Sequence, residues 1–246
     1  MFEDTLTEED IHPDYVSAAL THTGRVRPSN QDAFVDRADI RVWAVADGMG
    51  GHMQGDVASR MTCDGLKQMS AGADLDRTID DIQRRMGHVN ARLYAAAIRP
   101  KNPVQSGSTL VAFVANRTDC AVLWAGDSRL YRLRRGQLAQ ITTDHTWAAQ
   151  MAAHLPPGDP LLEEDHSIMR AVGGEHTLEL EVRRDKVQLG DRYLLCSDGL
   201  TRELSAVQIA LRLASGDVAS VAQSLLEATL MAGARDNVTV IVIEAA

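Results

Sequence analysis

The feature that most restricts this chain's fold is a series of four short strand-like segments whose connectors are too short to cross a sheet. Residues 108–115, 120–125, 130–134 and 137–142 are joined by short connectors that centre on Asn116-Arg117-Thr118-Asp119, Gly126-Asp127-Ser128 and Arg135-Gly136. Parallel neighbours need a crossover of about a dozen residues, so these segments must pair antiparallel. Further strands are predicted over 15–21, 32–36, 41–46, 192–197 and 238–243. One more is predicted over 178–182, where Leu178, Leu180 and Val182 alternate with Glu179 and Glu181.

Helical periodicity occurs in two places. Residues 76–98 place Ile79, Ile82, Met86, Val89, Leu93 and Ala96 at spacings of three and four, which makes one apolar stripe. Residues 54–70 gather Val57, Ala58, Met61, Leu66 and Met69 on half of the helical wheel. Two more helices are predicted near 205–213 and 217–232, the second with Val218, Val221, Ala222, Leu225 and Leu226 on one face. Strands in runs and helices in pairs predict an α+β fold, antiparallel sheets with helices on their outer faces. No repeat or low-complexity linker divides the chain. The expectation is a flexible acidic tail over 1–14 and a single domain over 15–246. Residues 144–176, with Pro156-Pro157-Gly158-Asp159-Pro160 and Gly173-Gly174, are predicted to be a long irregular loop, functional or mobile.

Composition excludes several function classes. With 45% hydrophobic residues a sizeable core is available. No apolar run reaches the roughly 18 residues of a membrane helix, and the acidic N-terminus does not read as a secretory signal. The net charge of −9 argues against nucleic-acid binding. Arg129, Arg132, Arg134 and Arg135 read as a solvated strand face. Cys63, Cys120 and Cys196 are odd in number and unpaired in spacing, as expected of free thiols in a cytoplasmic protein.

Four apolar runs carry an Asp at one end: 42–46 before Asp47-Gly48, 121–126 before Asp127, 193–197 before Asp198-Gly199, and 238–243 after Asp236. A single Asp-Gly is usually a turn. Repeated beside buried strands, these carboxylates are costly unless paired or metal-bound. Carboxylates, carbonyls and water suit magnesium or manganese, whereas zinc prefers His and Cys, and no HExxH spacing occurs. Gly48, without a side chain, lets its carbonyl come close to an ion. Two such cations lower the pKa of a shared water and neutralise phosphoryl oxygens, so hydrolysis needs no nucleophilic side chain. Arg27 offers a planar fork for a phosphate, although an isolated Arg is more often a surface ion-pair partner.

In this order along the chain, the motifs resemble those of the metal-dependent PPM (type 2C) protein Ser/Thr phosphatases in their compact bacterial form. They are Thr23-Gly24 with Arg27 and Asn30-Gln31-Asp32; Ala46-Asp47-Gly48-Met49-Gly50-Gly51-His52; Gly107-Ser108-Thr109-Leu110; and Gly126-Asp127-Ser128-Arg129. They continue with Arg170-Ala171-Val172-Gly173, Cys196-Ser197-Asp198-Gly199-Leu200 and Arg235-Asp236-Asn237-Val238-Thr239.

The resemblance implies a central antiparallel β-sandwich flanked by pairs of helices, a four-layer αββα arrangement with the site at one end. It implies two manganese or magnesium ions, with Asp47 bridging them, Gly48 binding one through its carbonyl, and Asp198 and Asp236 holding the other. Asp127 would serve a weaker third ion. Asp32 would orient the attacking water or reach a metal directly. Arg27 would bind the substrate phosphate, and Asn237 would fix the Asp236 loop. His52 has two readings, proton donor to the leaving group or a hydrogen-bonding residue behind the ligands. The implied substrate is a phosphorylated protein, with a Ser/Thr kinase or its target as the natural partner; nucleic acid and membrane are not expected, and the protein is expected to be a monomer.

One region departs from the pattern. The flap after Asp144-His145, about 146–166, is short and Pro-rich. His166 and Met169 stand where the family often carries an Asn and a Thr.

The sequence admits two other readings. A degenerate phosphatase domain acting as a binding or sensing module would typically lose a metal Asp or the phosphate Arg, and all are present here. A GDS-type serine esterase built on Ser128 would need a His-based relay, and its motif lies in a tight strand connector.

Overall fold

The computed structural model describes residues 13–50, 54–72, 74–101, 103, 106–152, 154–156, 159 and 167–246. Residues 1–12 of the predicted tail and about half of the predicted flap (153, 157–158 and 160–166) lie outside these residues. Eleven strands are described: β1 (Tyr15–His22), β2 (Asp32–Arg37), β3 (Val42–Gly50), β4 (Ser106–Ser108), β5 (Leu110–Ala115), β6 (Asp119–Ala125), β7 (Arg129–Arg134), β8 (Gln137–Gln140), β9 (Glu181–Lys186), β10 (Arg192–Cys196) and β11 (Val238–Ala245). The helices are α1 (Gln54–Lys67), α2 (Leu75–Ala97), α3 (Trp147–Met151), α4 (Asp198–Thr201), α5 (Ala206–Leu213) and α6 (Val218–Ala232).

Side-chain alternation along the strands builds the layers. One sheet has the order β1-β11-β10-β7-β8 and the other β2-β3-β5-β6-β9, and every pairing is antiparallel. Trp43, Val45, Val111 and Phe113 meet Tyr193, Leu195, Ile241 and Ile243 between the sheets. The intervening residues face outward. Val42, Ala44, Leu110 and Ala112 pack beneath Leu66, Ile82, Met86 and Leu93 of α1 and α2. Leu194, Cys196, Val240 and Val242 pack beneath Ile209, Leu213, Val221 and Leu225 of α5 and α6. Burial on both faces is why these strands read as continuous apolar runs, each fully buried Leu or Ile contributing about 1.5–3 kcal/mol. The result is the expected four-layer αββα sandwich.

Caps set the helix starts. Asp74, Ser205 and Asp217 accept the backbone N–H of Arg77, Gln208 and Ser220, and Ser205 with Gln208 forms a capping box. At the far end of the sandwich, Asp14 and Ala246 exchange backbone hydrogen bonds of 2.9 Å.

Four expectations are revised. The strand predicted over 178–182 is β9, which begins at Glu181; Leu178 and Leu180 pack against the helical layer before the ladder starts. The strand predicted over 108–115 breaks at Thr109 into β4 and β5. The short helices α3 and α4 were not predicted. The arginines of 129–134 are not a solvated face, because Arg129 pairs with Asp144, Arg132 with Asp185 and Arg134 with Asp191. Cys63, Cys120 and Cys196 are free and buried. Among the described residues, no helix is long and apolar enough to cross a membrane.

Candidate metal centre

Topology brings the candidate carboxylates together. β2 and β11 begin, and β6 and β10 end, at one edge of the sandwich, so Asp32, Asp236, Asp127 and Asp198 share that edge with Asp47 of β3. Asp32 and Asp47 are direct cross-strand partners. Like charges in that position repel each other, so the site is a destabilising arrangement by construction.

Asp47-Gly48 is not a strand end. β3 continues to Gly50, pairing with β5 up to Val45 and with β4 from Gly48. Thr109 makes the change of partner possible: its N–H donates to the Asp47 carbonyl (2.8 Å), and its Oγ1 accepts the Asp47 N–H (2.9 Å). Gly48 is required because an added Cβ would fall 1.9 Å from the Gly55 carbonyl oxygen at the start of α1. Asp198-Gly199 is not a bare turn either. Asp198 opens α4, and a Cβ on Gly199 would lie 1.9 Å from the Asn237 carbonyl oxygen. Gly48→Ala and Gly199→Ala are therefore each expected to lower unfolding free energy by about 3 kcal/mol, read by denaturant titration; wild-type midpoints would contradict this close packing.

Asn237 ties the loop bearing Arg27 to Asp236. Its Nδ2 donates to the carbonyls of Thr23 (2.8 Å) and Ser29 (2.9 Å), and its Oδ1 accepts the Gln31 N–H (2.8 Å). Arg27 donates to both oxygens of Asp236 through Nε (2.8 Å) and Nη2 (2.7 Å). Arg202, absent from the expected site, reaches Asp198 Oδ2 at 2.5 Å and Asp236 Oδ2 at 3.7 Å. Its signal was the i,i+4 spacing from Asp198, which has meaning only once α4 is known to be a helix.

Asp32 Oδ2 accepts hydroxyl hydrogens from Ser197 (2.8 Å) and Thr239 (2.7 Å). Neither hydroxyl was singled out in the sequence. Burial nevertheless pushes the Asp32 carboxyl up to about 7, opposed by those two donors and reinforced by Asp198 and Asp236. Burial, then the neighbouring Asp32 and Asp198, raises Asp47 well above the usual carboxylate range. Asp127 is pushed up to about 7 by burial and Asp198. Asp198 is also raised by burial, against the pull of Arg202.

This donor set fits hard divalent cations. It consists of carboxylates beside backbone carbonyls, and Asp32 Oδ1, Asp127 Oδ1 and Asp198 Oδ1 are buried with no hydrogen-bond partner. Among the described residues, no three acidic, His or Cys side chains converge on one point in ligating geometry; Asp198 and Asp236 face Arg27 and Arg202 instead. His52 lies outside the described residues, as does His166. Met169 is half exposed, its N–H donating to the His145 carbonyl (2.7 Å).

Ser128 is buried and hydrogen-bonded to the Thr109 hydroxyl (2.7 Å), while the His145 ring accepts the Gly126 N–H and meets Glu181. Among the described residues no histidine pairs with Ser128, whose hydroxyl meets Thr109 instead, which argues against the esterase reading. A cleft of about 690 Å³ opens over Asp127, Asp198 and Asp236, lined also by Arg27, Arg202 and Arg235.

Fold and site together define a class: an αββα sandwich with an oxygen-donor cluster at one end. The chain belongs to the protein phosphatase 2C family, whose profile matches residues 22–233. It is 37% identical over 234 residues to the serine/threonine protein phosphatase PstP of Mycobacterium tuberculosis, covering 92% of this chain but only 44% of that protein, so it spans less than half of that relative. The structure of PppA, described as a key regulatory component of T6SS in Pseudomonas aeruginosa, superposes with a TM-score of 0.87 at 36% identity, covering 96% of this chain and 99% of that one. The PstP catalytic domain in complex with two manganese ions superposes with a TM-score of 0.82 at 35% identity, covering 94% and 97%.

Proposed function

We propose that this chain hydrolyses phosphoserine and phosphothreonine in proteins, using divalent cations held at the Asp47 cluster. The observation that carries the reading is a set of buried, mutually repelling carboxylates with unpartnered oxygens, placed beside a half-exposed guanidinium in a chain of this family. Asp47 and the Gly48 carbonyl would hold one ion, with Asp47 shared by a second that Asp198 and Asp236 complete. Asp127 would serve a weaker third. The manganese in the PstP structure supports manganese here; magnesium has the same ligand preferences. Bound there, such cations supply Lewis acidity, lowering the pKa of water and neutralising phosphoryl oxygens.

The chain's own groups do the rest. Arg27 grips the substrate phosphate with its planar fork, exchanging Asp236 for a phosphoryl group. Asp32, fixed through Oδ2 by Ser197 and Thr239, keeps Oδ1 to orient the attacking water or to reach a metal directly. His52 retains its two readings, leaving-group acid or supporting hydrogen bond. The physiological substrate would be a Ser/Thr kinase or one of its targets, met in the cytoplasm by a monomeric enzyme. The binding-module alternative is disfavoured because Asp47, Asp198, Asp236 and Arg27 are all retained.

The test is direct. Purified protein should release phosphate from a phosphothreonine peptide and from an aryl phosphate with manganese, and lose both activities in EDTA. Turnover that is indifferent to EDTA would overturn the reading.

A further inference from the structure

We infer that Arg202, with Arg235 beside it, selects phosphosites that carry a second anionic group nearby, either an acidic side chain or a second phosphate. This rests on the phosphatase reading of the same site. The cleft is larger than a phosphoryl group and the one side chain that bears it need, so flanking residues of a substrate enter it. One wall carries three exposed guanidiniums: Arg27, Arg202 and Arg235 retain 52%, 50% and 74% of their side-chain surface. The fourth lining arginine, Arg129, is closed into a bidentate pair with Asp144 and offers little to a ligand.

Arg27 and Arg202 approach the same oxygen, Asp236 Oδ2. They cannot both serve one phosphoryl group through identical contacts. Arg27 arrives from the loop stapled by Asn237, whereas Arg202 caps the C-terminal end of α4, followed by Glu203, which pairs with Arg235. The backbone at the C-terminal end of α4 sets where Arg202 stands, and its i,i+4 pair with Asp198 orients the guanidinium in the cation-free chain. The Arg202 guanidinium is half exposed although its carboxylate partners keep only 12% and 19% of their surface, so its open side is free to meet a second anion. Once Asp198 and Asp236 serve cations, the Arg202 guanidinium keeps its position but loses its intramolecular partners, and a substrate anion replaces them. Arg235 commits its Nε to Glu203 (3.0 Å) and extends the cationic wall outward. A chain of net charge −9 repels acidic substrates at long range, so a local arginine wall is what would admit them.

The experiment compares four phosphothreonine peptides of equal length, with neutral flanks, Glu flanks, Lys flanks and a second phosphothreonine. They are assayed with manganese on the wild type, Arg202→Gln and Arg202→Lys. Wild-type kcat/KM should favour the Glu-flanked over the Lys-flanked peptide by about fivefold, the strength of an exposed ion pair. Arg202→Gln should bring that ratio close to one, Arg202→Lys should retain most of it, and 0.5 M salt should erase it in the wild type as screening predicts for charges about a Debye length apart. The doubly phosphorylated peptide separates the two sources of charge: a preference for it above the Glu-flanked peptide assigns the wall to a second phosphate. Peptide binding by fluorescence anisotropy should give the same ranking independently of turnover. A ratio unchanged by Arg202→Gln, or all peptides slowed in equal proportion, would overturn the inference and leave Arg202 as a support for Asp198. Failure of the wild type to hydrolyse even the aryl phosphate would overturn the phosphatase reading and this inference with it.

Discussion

Asp47→Asn is expected to lower phosphopeptide turnover by about 10³-fold or more, the loss typical of removing electrostatic support for a transition state, and also to raise the melting temperature of the protein in EDTA. The two effects have one cause. Asp47 sits opposite Asp32 on paired strands and is surrounded by Asp198, Asp127 and Asp236. Asn keeps the shape and removes one of the repelling charges. The backbone N–H and carbonyl of residue 47 stay held by Thr109, so the strand itself is not disturbed. Each pK unit of relieved perturbation corresponds to about 1.4 kcal/mol, and for a chain of this size a kcal/mol is worth about 2–4 °C. Thermal melts in EDTA and initial rates in manganese read the two arms. A variant that melts below the wild type would contradict the electrostatic account even if it were inactive.

The second large effect is on stability against pH. Asp32 and Asp127 each have carboxyls pushed up to about 7, from an ordinary value near 3.8. A carboxyl raised in the folded state binds its proton more tightly there than in the unfolded chain. Its contribution is fully present below the unfolded value and is lost as pH rises through the folded one. Cation-free protein should therefore lose stability between pH 4 and pH 7, at up to about 1.4 kcal/mol per pH unit for each such group. Manganese, which takes the place of the protons, should restore it most strongly at the upper end. Denaturant midpoints at pH 5 and pH 7.5, with EDTA or manganese, measure this; a cation-free protein more stable at pH 7.5 would reverse the sign.

What the sequence made legible follows from where side chains repeat. Runs such as 42–46 and 238–243 are buried on both faces, so they read as strands without alternation, and the stripe from Ile79 to Leu93 reads as a helix because one face is buried. The carboxylates could be found because Asp is anomalous beside such runs. The missing parts depend on three-dimensional approach. Gly48 reads as an open carbonyl and Gly199 as a turn residue, yet each is also needed where a separate backbone passes within contact of it. Thr109, Ser197 and Thr239 are unremarkable hydroxyl residues until register places them against Asp47 and Asp32. Arg202 gained its meaning only when the Asp198-Gly199 segment proved helical. The pairing of Arg27 with Asp236 joins residues from opposite ends of the chain, which no local pattern reveals.

Manganese titration calorimetry on the wild type and Asp47→Asn tests the central claim most directly, because it reads the carboxylate cluster without recourse to turnover. The wild type should bind two ions, the number in the PstP catalytic-domain structure, and Asp47→Asn should lose measurable binding at both positions if, as proposed, that carboxylate is shared. Wild-type protein that takes up no manganese, or a variant that binds it as the wild type does, would contradict the assignment of this cluster as the metal centre.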